Sequence, residues 1–200
     1  MEQLLMPSPF VDKFTKKAFV GKALDLGCGQ GRNALFLAKQ GFSVVGVDKK
    51  EASIAFLRDK AKSLDIELFN RNLLDFPIRK EEYDLILGMN VFNMVSKREF
   101  EAVVEKIKKG LKKGGIFILS MHNNMDPLYE EIKKECKTKD GQTFWNEKGN
   151  KWYFPEPGGL KRLFDDFLII FYKQIVINDP GHPNKPEPHA HSVERLVVKK

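Results

Sequence analysis

The stretch Ala23-Leu24-Asp25-Leu26-Gly27-Cys28-Gly29-Gln30-Gly31-Arg32-Asn33 reads as a β-strand that runs into a glycine-rich turn and then into a helix. A second apolar run, Val44-Val45-Gly46-Val47, follows and is closed by one acid, Asp48. Glycines at 27, 29 and 31 let the backbone turn sharply and approach a ligand where any Cβ would collide. The helix beyond them offers free N–H groups. A carboxylate that ends the next strand is placed to accept hydrogen bonds from ribose hydroxyls. Together these features describe a nucleoside-binding site.

The rival reading is a dinucleotide site with a Gly-x-Gly-x-x-Gly turn around a pyrophosphate. The spacing is wrong for it, because the third glycine would fall at Arg32. Asp25, two residues ahead of the first glycine, would also repel a pyrophosphate, whereas it suits a cationic ligand. The pattern Asp25-x-Gly27-x-Gly29-x-Gly31 resembles the first motif of class I S-adenosylmethionine-dependent methyltransferases. Their cofactor, S-adenosyl-L-methionine, carries a sulfonium and an amino group and no phosphate; its product is S-adenosyl-L-homocysteine. The resemblance implies the Rossmann-like methyltransferase fold, an α/β, doubly wound, mostly parallel seven-stranded sheet with an antiparallel last strand.

The order of elements agrees with that class. Apolar runs alternate with helical periods, the pattern of an α/β sheet. Strands are expected at about 22–27, 43–48, 65–70, 83–88 and 116–121, with helices over 31–40, around Ile54–Leu64 and around Phe100–Leu111. Gly114-Gly115 is expected to break the chain ahead of the fifth strand. A helical piece over 126–136, a polar-aromatic insertion holding Trp145, Trp152, Tyr153 and Phe154, and a short helix opened by Pro157 follow. The final strands, 167–177 and 191–199, are joined by the proline-rich loop 178–188 without a helix, which fits a closing antiparallel hairpin.

Two hundred residues suit one domain, 1–200. Its parts are an N-terminal helical cover (1–20), a cofactor-binding half (21–122) and an acceptor-side half (123–200) with the aromatic insertion and closing hairpin. No apolar run approaches the roughly 20 residues that cross a bilayer, and the first residues lack the charge and length of a signal peptide. A cytoplasmic protein without membrane partners is expected; its oligomeric state is not legible. Cys28 and Cys136 give neither a disulfide framework nor a metal-ligand spacing. The net charge of +7 raises the possibility of a nucleic-acid partner. The densest basic run, Lys106 to Lys113, ends a helix and enters a strand, which puts it at the sheet edge opposite the cofactor crevice. It reads as a solvated face complementing a helix dipole, so nucleic acid is not the expected partner.

Residue by residue, the resemblance assigns Gly27, Cys28, Gly29 and Arg32, along with Asp25, to the methionine part of the cofactor, Cys28 through its backbone. It gives Asp48 the ribose hydroxyls, Lys49 the adenine edge and Leu73 an adenine contact through its N–H, and it puts Met89 beside the cofactor. The adenine-binding acid of the family falls at Asn72, which leaves Asn72 or Asp75 for that role. Met89-Asn90-Val91-Phe92 replaces the Asn-Pro-Pro-aromatic motif of enzymes that methylate base or amide nitrogens.

The run from Leu26 to Asn33, Ser53 to Leu57, Val91-Phe92 and the His-rich return before Leu196-Val197-Val198-Lys199-Lys200 together resemble the tellurite-resistance branch of small methyltransferases. That branch methylates small nucleophiles such as chalcogen oxyanions, and relatives act on thiols or other small metabolites. The expected partner is therefore a small-molecule acceptor. His182 and His189, in the return between the last strands, are the candidates to bind an anionic acceptor or take its proton. No metal is expected, since no cysteine or well-placed third carboxylate accompanies the histidines. Trp145–Phe154 and the N-terminal Pro7–Val11 segment are read as either a cover over the cofactor or ordinary core. An RNA or protein methyltransferase, or a cofactor-binding protein without catalysis, are the other functional readings.

Overall fold

Lys22–Leu26 forms the first strand, β1, and its residues from Ala23 onward are all buried, as expected of a strand covered on both faces. The computed structural model from which this description is drawn describes residues 6–180 and 186–200. The strands β2 (Ser43–Asp48) and β3 (Ile66–Asn70) add outward from β1 in parallel, through the helices α2 (Arg32–Lys39) and α3 (Glu51–Lys60). The chain then returns to pair β4 (Tyr83–Met89) with the other side of β1, also in parallel. This reversal places a topological switch point between β1 and β4, where open α/β sheets bind ligands at the carboxyl ends of their strands.

Helix α4 (Lys97–Gly110) leads to β5 (Leu111–His122), and the last two strands are β9 (Leu168–Asp179) and β10 (His189–Lys199). The sheet order is β3-β2-β1-β4-β5-β10-β9, with β10 antiparallel to both neighbours. This is the expected seven-stranded, doubly wound sheet with an antiparallel last strand. One core, centred on Phe92, Phe100 and Phe117, lies against α4. The other, holding Phe10, Phe14, Leu37 and Phe42, lies under α2, α3 and the N-terminal helix α1 (Pro9–Thr15). α1 is therefore part of the core, with Phe10 and Phe14 against Phe171 of β9. The Ser8 N–H ahead of it donates to Asn33 Oδ1 of α2.

Three expectations change. β5 starts at Leu111 and not near Ile116, because buried Leu111 already pairs with Tyr83; Gly114-Gly115 falls within an irregularity of the strand, before Ile116 pairs with Leu85. The basic run sits on an interior strand and helix end at the rim away from the crevice, not on a sheet edge. Lys108 and Lys112 there are paired with Asp166 and Asp84, and Lys106 donates to the Leu74 carbonyl. The aromatic insertion, after α5 (Pro127–Glu135), folds as a second antiparallel sheet of β6 (Lys137–Thr138), β7 (Thr143–Trp145) and β8 (Lys151–Tyr153). Phe144, Phe154 and Ile132 give it a small core of its own. A four-residue helix, α6 (Gly159–Arg162), then leads to β9. Among the described residues no helix is long and apolar enough to cross a membrane.

Candidate functional site

The turn after β1 hangs on the end of β2: the N–H groups of Gly27 and Cys28 both donate to the Val47 carbonyl, at 2.8 and 3.1 Å. Gly27 adopts φ +70°, and a Cβ there would come within 2.3 Å of Val91 Cγ2, so only glycine fits. Gly29, at φ +54°, is different, since a Cβ built on it meets nothing within 4 Å. The loop is thus pinned at its start and open above its middle. Asp48 is fixed from both sides: Oδ2 accepts from the Gly29 N–H at 2.9 Å and Oδ1 from the Lys50 N–H at 2.8 Å. Its carboxylate borders a cavity of about 290 Å³ whose walls include Gly27, Val47, Lys49, Asn72 and Leu73. The facing wall is Val91, Met94 and Val95, on and around the 3-10 turn Phe92–Met94 that follows β4.

Asp25 lies beneath this loop, 2% exposed, with Oδ2 buried and without a hydrogen-bond partner among the described residues. Burial pushes its carboxyl up to about 7; Arg32 pulls the other way and the charge of Asp48 adds to the rise. A cationic ligand group is what such a carboxyl lacks. The Cys28 thiol is packed inward, 3.2 Å from where a Cβ on Gly46 would stand, and burial raises its pKa far out of the reactive range. Cys28 does not line the cavity.

Not every expected residue reaches the cavity. Asn72 and Leu73 line it, whereas Asp75 is exposed outside it. Asn72 Oδ1 also accepts from the Leu74 N–H at 3.1 Å, closing a turn that presents the side chain to the cavity. Arg32 stands off, because the first turn of α2 directs it to solvent; its influence arrives through Asp25. Met89 stands off too, its side chain packed into the core under α2 and α3. Lys50, Arg71 and Met94 border the cavity without having been singled out from the sequence. Their one sequence signal was position, in the loops that leave β2, β3 and β4.

At the far side of the same rim lies a second polar cluster. Asp126, the N-cap of α5, accepts from the Leu128 N–H through Oδ1 and from the Ser192 N–H through Oδ2. His191 Nδ1 is 3.0 Å from the same Oδ2, and His122 Nδ1 is 3.2 Å from it. His189 Nε2 meets His191 Nε2 at 3.0 Å, and His189 Nδ1 meets the Glu187 carbonyl at 2.8 Å. Burial works to raise the Asp126 pKa, but the His122 ring, the Leu128 N–H and the His191 ring outweigh it and hold it below the usual carboxylate value. Asn93 ties this cluster to the crevice: its side chain accepts from the His122 N–H and donates to the His122 carbonyl, both at 2.9 Å. Asn93 belongs to the 3-10 turn that walls the cavity. His182 lies outside the described residues, and the carboxylate that the sequence did not provide for the histidines is Asp126.

A family model described as a methyltransferase domain matches residues 23–115, from β1 to the irregular start of β5. The match takes in nearly half of the chain, which is similar to S-adenosyl-L-methionine-dependent methyltransferases. A probable S-adenosyl-L-methionine-dependent methyltransferase of Haemophilus influenzae, TehB, is 36% identical over 98 residues, or 47% of this chain and 33% of that protein. The chain therefore spans about a third of that relative's length. The crystal structure of TehB from Haemophilus influenzae aligns with a TM-score of 0.72 at 22% identity, covering 96% of this chain and 61% of that one. A methyltransferase from Methanosarcina mazei aligns at 0.76 and 18% identity over 98% of both chains.

The aromatic insertion serves as both core and wall. A second cavity, about 420 Å³, shares Lys49, Asn72, Leu74 and Met94 with the first. Its far side is Asn150, Lys151 and Trp152 of the small sheet, held to α4 by the Lys151 pair with Glu99. Trp152 thus borders the crevice while Phe144 and Phe154 pack away from it.

Proposed function

We propose that this protein transfers a methyl group from S-adenosyl-L-methionine to a small nucleophilic acceptor, such as a chalcogen oxyanion, a thiol or another small metabolite. The observation that carries the reading is Asp48, oriented by the Gly29 N–H beside a cavity of about 290 Å³. The residues fit the donor. Open space over Gly29 and the unpartnered oxygen of buried Asp25 suit a cationic methionine part. Asp48 holds the ribose hydroxyls, with Asn72 and the Leu73 backbone at the adenine edge and Lys49 over it. When bound, the donor supplies a sulfonium-borne methyl whose leaving thioether needs no acid.

The protein's task is then mostly positioning and exclusion of water. Val91, Met94 and Val95 shield the crevice on the β4 side. His189, at the neighbouring strand ends, binds the anionic acceptor, and Lys49, Lys50 and Arg71 give the crevice a positive lining. The name of the Haemophilus influenzae relative supports the same chemistry. Nucleic acid is disfavoured as acceptor, because Lys108 and Lys112 of the densest basic run are paired with acids and the run lies at the opposite rim. Calorimetry with S-adenosylhomocysteine is expected to give saturable binding that Asp48→Ala weakens at least about tenfold, a loss of roughly 1.4 kcal/mol. Unchanged affinity rejects the site. Release of S-adenosylhomocysteine across a panel of thiols and oxyanions tests the acceptor; donor binding without turnover on any of them favours a non-catalytic binding protein.

A further inference from the structure

We infer that His122, Asp126 and His191 form a binding site for one divalent transition-metal ion of the zinc class. One nitrogen or oxygen from each lies within 4.8 Å of the others, drawn from three separate elements. The fold explains why they meet. Val193 pairs with His122 across β5 and β10, and His191 lies two residues from Val193, so both rings stand on the same face of the sheet. Their centroids are 4.5 Å apart. Asp126 then reaches them from the start of α5, its side chain fully buried.

The distances suit a shared ion. Bonds of about 2.0 Å in a tetrahedron put ligand atoms roughly 3.3 Å apart, and the two histidine nitrogens are 3.0 and 3.2 Å from Asp126 Oδ2. His122 Nδ1 is buried and lies 3.2 Å from that oxygen, outside the geometry of a hydrogen bond. If His191 Nδ1–H serves Asp126 and His189 Nδ1–H serves the Glu187 carbonyl, the two Nε2 atoms face each other at 3.0 Å with no proton between them. An ion on His191 Nδ1 resolves this: His191 then carries its proton on Nε2 and donates it to His189, the outer support that a metal-bound histidine usually has. It also takes up the lone pair of His122 Nδ1.

Two imidazoles and one carboxylate favour zinc, cobalt, nickel or copper over magnesium or calcium, which prefer all-oxygen sites. Three protein ligands leave a coordination position open, so the ion can also hold an anionic or thiolate molecule. The assignment does not depend on methyl transfer, and its test is read separately.

The full chain, stripped with a chelator, is titrated with zinc against a chromophoric chelator; one tight equivalent is expected. Cobalt in its place is expected to give the visible absorption of a four-coordinate site. His122→Ala and His191→Ala should each weaken zinc at least about tenfold, with S-adenosylhomocysteine affinity of the same variants reporting an intact fold. Imidazole nitrogen NMR of the unaltered protein provides a second measurement, in which zinc should move the Nδ1 signals of His122 and His191. Absence of saturable binding overturns the proposal. So does zinc affinity that survives His122→Ala unchanged, which moves the ion to Asp179, His189 and His191. Imidazolium signals that persist at zinc saturation overturn it as well, since an added proton then fills the gap.

Discussion

Asp25 and Asp126 stand at the same rim of one sheet, 2% and 1% exposed, and are held in opposite ways. Asp25, under the glycine loop, is pushed up to about 7 because burial strips its hydration, a rise that Arg32 opposes and the charge of Asp48 reinforces, and its Oδ2 has no hydrogen-bond partner among the described residues. Asp126, beside the histidines, is held low because two backbone N–H groups and two rings surround it. One carboxyl is left wanting a cation; the other is already enclosed by donors. The glycine-loop side is a site made of backbone and space, completed by its ligand, whereas the histidine side is made of converging side chains.

The largest expected effect breaks that contrast at Asp25. An acid raised on folding keeps its proton in the folded chain after the unfolded chain has lost it. Between the ordinary value of 3.8 and about 7, stability therefore falls as pH rises, by on the order of 4 kcal/mol in all, and changes no further above that window. Denaturant unfolding across this range should show the decline in the unaltered protein, and Asp25→Asn should flatten it. A decline of equal size in the variant removes the assignment.

Next in size is Asp126→Ala, measured with a chelator present so that no metal contributes. It removes the cap on Leu128 and leaves the Ser192 N–H without its acceptor. A loss of about 3 kcal/mol is expected, from a cap worth about 1 and an orphaned buried donor worth about 1–3. A loss under about 1 kcal/mol would mean that the histidine side is not held together through this carboxyl.

On the other side, Gly27→Ala and Gly29→Ala separate packing from backbone strain. Both residues are at positive φ, but only at Gly27 does the new methyl collide, with Val91. About 3 kcal/mol is expected for Gly27→Ala and about 1 for Gly29→Ala. Gly29→Ala should instead lower S-adenosylhomocysteine affinity, since its methyl enters the open space above the loop. Equal melting temperatures for the two variants would deny the close approach of Val91.

The same contrast decides what was legible in the sequence. Asp25, Gly27, Gly29 and Asp48 lie along two successive strands, and parallel pairing of β1 with β2 makes their juxtaposition a local consequence of spacing. The alternation of apolar runs gave the sheet and its closing hairpin for the same reason. Asp126 and His191 meet only because α5 starts beside β10, 65 positions away in the chain, and no local period encodes that. The three-stranded insertion escaped too, its strands being two or three residues long and too short to show a period. Arg32 and Met89 share the motif's neighbourhood but not its direction: one turns outward from the start of a helix, the other downward into the core.

The smallest effect settles a choice the sequence left open, between Asn72 and Asp75 at the adenine edge. Asn72 lines the cavity and its Oδ1 fixes the turn through the Leu74 N–H, while Asp75 points to solvent. On the proposed reading, Asn72→Ala deletes one side-chain hydrogen bond to the ligand and loosens the turn that carries Leu73. A loss of about 0.5–1.5 kcal/mol, or about two- to twelvefold in S-adenosylhomocysteine affinity, follows. Asp75→Ala should leave the affinity unchanged, because an exposed carboxylate outside the cavity has no contact to lose. The opposite ranking would require the loop after β3 to rearrange on binding, and would make the glycine-loop side, like the histidine side, a site that its side chains assemble.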